Sequence, residues 1–411
     1  MTRTASTATA LALAMAVCCG AALAQQGANQ PPIDIQRAKQ LFQRAQQGGQ
    51  LTPDEQAYLA RARQEMQRRQ QGQGGGGPGG RGGPGMGMQR GPQGPVPPAT
   101  SATGLVPITE LGTNKYKGED GGLYGGGSNE PPSEFRTAVE KQLQKIEPLD
   151  ADGKPASDGK IVMLSVGMSN TTMEFSTFMK KAEADPQRNP HVVFVDGAQG
   201  GRVASVWARG NQGMPAGRQL PPGASADPWP VVEQRLAQAG VTPAQVQVAW
   251  IKHAQSSPSQ QGEFPKHAEI LAENIVLTLQ KLHETFPNLR VAYLSSRIYA
   301  GYATTALNPE PYAFEGAFAN RWVIQQQMKG DAKLNFDPDK GTVMAPVVLW
   351  GPYLWADGMK PRAGDGLTWP IDDLVPSDRT HPSDAGRAKV AGLLLDYLHN
   401  NPLASCWYVA K

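Results

Sequence analysis

Between residues 160 and 350 the chain carries five short runs that are apolar almost throughout: KIVMLSVG (160–167), HVVFVDGA (191–198), VQVAWIK (246–252), LRVAYLSS (289–296) and MAPVVLW (344–350). A strand with one wet face alternates apolar and polar residues, whereas a strand covered on both faces is apolar throughout. Stretches with helical spacing separate or follow these runs, at 171–185, 264–286, 313–329 and 383–399. In the second, Leu271, Ile275, Leu279, Leu282 and Phe286 form one stripe; in the last, Val390, Leu393, Leu394, Tyr397 and Leu398 do so. The pattern predicts an α/β fold, a three-layer α/β/α sandwich around a five-stranded parallel sheet. Ligands of such open sheets sit beyond the carboxyl ends of the strands. That rule directs attention to Ser169, to Asp196–Arg202, to Lys252 and His253, to Ser295–Tyr302 and to the loop after Trp350.

The expected α/β domain spans 106–411. Residues 1–24 read as a secretory signal: Arg3 at the start, an apolar core over 8–17, and Ala22-Leu23-Ala24 before Gln25. A membrane span needs about 20 apolar residues. The core is shorter, so no stable membrane insertion is expected, although an uncleaved anchor is the other reading. Cys18 and Cys19 lack a convincing lipobox. The mature chain would be periplasmic or extracellular and keep only Cys406, so its stability must come from an apolar core rather than a disulfide. Residues 25–71 read as a short helical pair: Ile35, Leu41 and Phe42 mark the first helix, and Thr52, Pro53 and Glu55 start the second. Residues 72–105 read as a Gly/Pro-rich disordered linker. Its G-x-G-x-x-G matches follow no strand and open no helix, which excludes a dinucleotide site. A net charge of +3 over 411 residues is too mild to imply nucleic acid. No Walker loop or H-E-x-x-H occurs, and the acidic stretches at 150–160 and 337–341 read as turns rather than calcium loops. Neither metal nor cofactor is expected.

Ser169 stands where the first apolar run stops at Gly167 and a helical pattern begins. A hydroxyl there is either an ordinary helix cap, shared with Asn170, or a nucleophile facing helix N–H groups that favour an oxyanion. A nucleophilic serine needs a base. His381 lies in a polar loop before the last helix, with Asp378 three residues earlier, close enough to orient the ring from its far nitrogen. Asp396 and His399 repeat that spacing on a helix face, so the spacing alone does not decide.

G-x-S-N at 167–170 and D-x-x-H-P at 378–382 together resemble the SGNH (GDSL-like) hydrolases. GMSNTT is closer to the G-Q-S-N variant of the sialate O-acetylesterase-like carbohydrate esterases than to G-D-S. DGAQGG, LSSRIYAGYATTALNPEPYA, WGPYLWADG and THPSDAGRAKVA are also similar to a group of secreted bacterial proteins with this fold. The resemblance covers roughly residues 160–400 and implies a flavodoxin-like sheet order and a serine esterase. Ser169 would attack an acyl carbonyl, His381 would carry the proton, and Asp378 would orient His381. The oxyanion hole would use the Ser169 N–H and a glycine N–H, here Gly200, with Gly197 or Gly201 as alternatives. The third block departs from the family: Lys252 and His253 follow Trp250 where an amide-bearing residue is expected. Lys252 could still donate to the oxyanion. Asn170, His253, Arg297, Tyr299, Tyr353 and Trp355 are the expected substrate contacts, the aromatic rings by stacking on sugar faces, and Trp369 could join them. The implied partner is an acylated carbohydrate or other small ester. The rival readings are a catalytically silent relative that binds glycan or cell-wall polymer, and an envelope protein whose N-terminal helices bind a partner. The oligomeric state is not legible.

Overall fold

The structure, a computed structural model, describes residues 98–410 except 216, 218–219 and 221–223, together with scattered positions between 34 and 62. The expected signal and most of the expected linker lie outside the described residues. The chain divides into two compact units, Met1–Gly83 and Pro84–Lys411. In the first, Leu41, Leu59 and Ala62 are buried together. Thr52 and Glu55 cap each other there: the Thr52 N–H donates to the Glu55 carboxylate at 2.9 Å, and the Glu55 N–H donates to Thr52 Oγ1 at 3.3 Å.

The second unit is built on five parallel strands: β1 (Ile161–Gly167), β2 (Val192–Asp196), β3 (Val246–Lys252), β4 (Val291–Leu294) and β5 (Val347–Trp350), in the order β2-β1-β3-β4-β5. All five apolar runs thus become strands of one sheet. Every residue of β1, β3, β4 and β5 is buried, as a sheet covered on both faces requires. The helices are α1 (Ser133–Leu143), α2 (Ser169–Glu183), α3 (Ala204–Arg209), α4 (Trp229–Gln238), α5 (Lys266–Thr285), α6 (Tyr312–Met328), α7 (Asp384–Asn400) and α8 (Pro402–Tyr408). The pattern anticipated α2, α5, α6 and α7. It missed α1, α3, α4 and α8, which are shorter and carry less periodic signal.

The strand order reverses about β1: β2 lies on one side of it and β3 on the other. A crevice opens at such a switch point, above the carboxyl ends. There β1 ends at Gly167, which sits against β3 so closely that a Cβ would collide with the Lys252 carbonyl and the Thr171 hydroxyl. Only glycine lets the chain leave the sheet here and enter α2 directly. No helix among the described residues is long and apolar enough to cross a membrane.

Candidate active site

The first turn of α2 settles whether Ser169 is a cap. The residue at the cap position is Met168, and α2 has no side-chain cap from either polar residue that follows. Thr171 Oγ1 instead accepts the Met168 N–H at 3.3 Å and donates to the Lys252 carbonyl at 2.8 Å, fastening the turn to β3. Both polar side chains cross to the loop before α7. Ser169 Oγ lies 2.7 Å from His381 Nε2. The buried Asn170 donates from Nδ2 to the Thr380 carbonyl at 3.0 Å. Ser169 occupies the first helical position, where its N–H has no intrahelical acceptor and lies at the positive end of the helix dipole.

His381 is held from behind. Its Nδ1 lies 2.6 Å from Asp378 Oδ2, while Asp378 Oδ1 accepts the N–H groups of Thr380 at 2.9 Å and His381 at 3.0 Å. Arg379 adopts a left-handed φ of 48°, which lets both N–H groups turn onto one carboxylate oxygen. Burial of Asp378 opposes its charge, but hydrogen bonds from the His381 ring and from the two backbone N–H groups outweigh it and hold the carboxyl down to about 2. The loop is pinned from several directions. Arg297 Nη2 donates to the Thr380 carbonyl at 3.3 Å, Thr305 and Thr380 hydroxyls lie 3.3 Å apart, and the Thr304 N–H donates to the Asp378 carbonyl at 3.0 Å. His399 does not pair with Asp396; it meets Asp185 at 2.7 Å, where the Tyr408 hydroxyl also donates. Among the described residues, a histidine bonded to both a serine hydroxyl and a carboxylate occurs at His381.

The loop after β2 reaches the same turn. The Gln199 N–H and Trp207 Nε1 both donate to the Gly167 carbonyl at 3.0 Å. Arg235 clamps the Asp196 and Ala198 carbonyls at 2.6 and 2.8 Å, fixing the start of this loop. Gly200 is exposed, with open space where a side chain would stand.

Two expectations need correction. Lys252 is not an oxyanion donor in this arrangement. It is fully buried and its ammonium is taken by both carboxylate oxygens of Glu174 on α2. Strand alternation turns its side chain under the first turns of α2 rather than up into the crevice. The aromatic stacking role of Tyr299, Tyr353 and Trp355 does not hold either, since all three are buried with their polar tips satisfied. Tyr299 donates to the Thr100 carbonyl at 2.9 Å, Tyr353 accepts the Ile108 N–H at 3.4 Å, and Trp355 donates to Glu310 at 2.8 Å. Trp369 is buried likewise and donates to the Leu354 carbonyl. These rings fill the space beneath long loops, where large apolar surfaces contribute most by leaving water. Arg297 and His253 are both at the strand ends and buried, and neither ring nitrogen of His253 has a partner. An amide-bearing residue missed in the sequence follows: Gln255, also buried, with neither side-chain polar atom partnered. Reading two positions further past β3 would have found it.

No group of three or more His, Cys, Asp or Glu side chains is placed to hold a metal ion among the described residues. What the arrangement can do without one is deprotonate Ser169 through a carboxylate-oriented imidazole, at the start of a helix. No protein-family model and no curated protein matches this chain. One solved structure similar to it is an extracellular lipase from Streptomyces rimosus, at 12% identity and a TM-score of 0.30, over 57% of this chain and 99% of that one.

Proposed function

We propose that this protein is an exported serine esterase that removes an acyl group, acetyl being the smallest candidate, from a carbohydrate. The observation that carries the reading is the relay Ser169 Oγ–His381 Nε2 at 2.7 Å and His381 Nδ1–Asp378 Oδ2 at 2.6 Å. Both distances are within the reach a base and its orienting carboxylate need. Ser169 Oγ attacks the ester carbonyl carbon and gives its proton to His381 Nε2. The oxyanion that forms is met by the N–H groups of Ser169 and Gly200. Collapse expels the alcohol, which takes the proton back from His381. Water then attacks the acyl-serine, its proton passes to His381, and collapse releases the acid and restores Ser169. Asp378 stays ionised throughout and stabilises the charged ring.

The experiment is exposure of the purified chain to a fluorophosphonate, followed by intact mass and peptide mapping. Stoichiometric labelling at Ser169 that is lost in His381→Ala supports the reading. Absence of labelling in folded protein overturns it and leaves the second reading, a catalytically silent protein that binds glycan. That reading is favoured by one observation: the cation expected at the oxyanion is locked onto Glu174.

A pH dependence also follows. Asp378 titrates only near 2, so it remains charged across the working range. The acid limb of kcat/KM should therefore report one ionisation, protonation of the His381 ring. Activity falls as pH falls, because the protonated ring cannot take the serine proton. A log plot against pH should rise with unit slope and then level. A slope of two would mean that a second group must also lose its proton.

A further inference from the structure

Residues 100–104 belong to the segment read as a Gly/Pro-rich linker, yet they are bonded into the loops that follow β4 and β5. In the loop after β4, the Gly301 carbonyl accepts the Thr100 N–H at 2.8 Å, and the Tyr299 hydroxyl donates to the Thr100 carbonyl at 2.9 Å. In the loop after β5, the Met359 N–H donates to the Ser101 carbonyl at 2.7 Å. The neighbouring Gly358 has a φ of 59°, and a Cβ there would collide with the Ser101 carbonyl, so the close approach requires glycine. Asp357 makes the firmest hold. It is 1% exposed, and its carboxylate accepts the Thr103 N–H at 2.7 Å, the Thr103 hydroxyl at 2.6 Å and the Gly104 N–H at 2.9 Å.

This strap has little apolar surface to hold it: Ser101, Ala102 and Gly104 are exposed. What it offers is donors. A buried carboxylate that loses its donors is costly, so Asp357 ties the strap down by polar bonds where packing does not. The loops that the strap joins lead to the relay. Glu310 gathers both, accepting the Ala300 N–H at 2.9 Å and Trp355 Nε1 at 2.8 Å. Three residues on from Gly301, the Thr304 N–H donates to the Asp378 carbonyl, and the Thr305 hydroxyl meets that of Thr380. The path runs from Asp357 to the strap, from the strap to Gly301, and along that loop to the turn that carries His381.

We propose that residues 100–104 are a positioning strap for the relay, anchored by Asp357, and this rests on the hydrolase reading. Asp357 and Thr103 act through the 299–305 loop rather than on the reacting atoms. With the strap seated, that loop has one position and presents Thr304 and Thr305 to the Asp378–His381 turn. With the strap loose, the turn keeps its internal bonds to Asp378 but loses two outer supports, and His381 Nε2 drifts from Ser169 Oγ. A displacement of about 1 Å between reacting groups costs on the order of 10²-fold in rate. A segment held mainly by surface hydrogen bonds opens at low free energy. Release of the strap therefore lowers turnover without unfolding the sheet.

The test uses the full-length chain carrying Asp357→Asn, which turns an NH₂ towards a strap N–H, or Thr103→Val, which removes the hydroxyl donor. Thr103→Ser keeps that donor and is the rescue. Hydrogen exchange read by mass spectrometry compares residues 375–383, which include the Thr380 and His381 amides, with the strands, and needs no catalysis. The rate of fluorophosphonate labelling at Ser169 reads the relay. In Asp357→Asn and Thr103→Val, exchange over 375–383 should rise at least about fivefold while β1 and β3 stay unchanged. Labelling should slow about tenfold or more, and Thr103→Ser should match the wild type in both. A merely structural strap predicts faster exchange in the strands as well, or a lower Tm with labelling within about twofold of wild type; either result overturns the proposal. So does exchange over 375–383 that stays at the wild-type level. If Asp357→Asn does not fold, Thr103→Val decides. Wild-type protein that takes no label defeats the hydrolase reading, and the exchange result then still decides whether the strap holds the His381 turn.

Discussion

Ser169→Ala and His381→Ala should each lower kcat by on the order of 10⁵-fold, and Asp378→Asn by about 10⁴-fold. The reason lies in how the three groups are joined. Ser169 Oγ has His381 Nε2 as its partner and does nothing for its own helix, whose first turn is fastened by Thr171 instead. Its loss therefore removes the hydroxyl that meets His381 without weakening α2. Asp378 accepts from the His381 ring and from two backbone N–H groups. An asparagine can keep the backbone bonds through its carbonyl oxygen. Its NH₂ would then face Nδ1 as a donor and force the ring into the tautomer that cannot accept from Ser169. Rates on an acetyl ester and thermal unfolding together check this. Double variants should lose little more than single ones, because parts of one relay are not additive. Full additivity, or a fall in Tm that matches the fall in rate, would reject the relay.

The second large effect concerns stability. Lys252→Met should cost about 3–5 kcal/mol, because it strands the charge of a completely buried Glu174. Glu174→Leu should cost more than Lys252→Met. Burial already pushes the Lys252 ammonium towards its neutral form and Arg297 repels it, while Glu174 is attracted to Arg297 as well. Without Glu174 two buried cations face each other; without Lys252 the carboxylate keeps one cation nearby. The double variant Lys252→Met/Glu174→Leu should regain most of the loss, since buried ion pairs replaced by well-packed apolar groups are often neutral or better. Urea unfolding of the two single variants and the double variant measures the coupling. A double variant whose loss equals the sum of the two would show that the pair is not energetically linked.

The sheet was legible because its runs are apolar over their whole length, a signal that needs no knowledge of neighbours. The relay was legible in part. Residue type and position singled out Ser169 and His381, but local sequence could not tell a hydroxyl that caps its helix from one that leaves it, since the deciding partner is 212 positions away. The same distance problem explains Lys252: its partner Glu174 is 78 positions off, on a helix face. Trp355 and Tyr353 sit among glycines and prolines, and such a stretch looks like an exposed turn. Whether a ring in it points to water or to protein depends on which loop folds over it, and here Glu310 and Ile108 supply the cover.

The junction of Ser169 with His381 also makes this site a gauge of completeness in chain folding. Its two halves lie just past the first strand and just before α7, so a chain still emerging, or trimmed ahead of the His381 loop, holds only one member of the Ser169–His381 pair. Long-range closures of this kind are made late and slowly. Reactivity at Ser169 would switch on only when the tail of the domain has returned to its head, and a passing carbonyl would meet an inert hydroxyl until then.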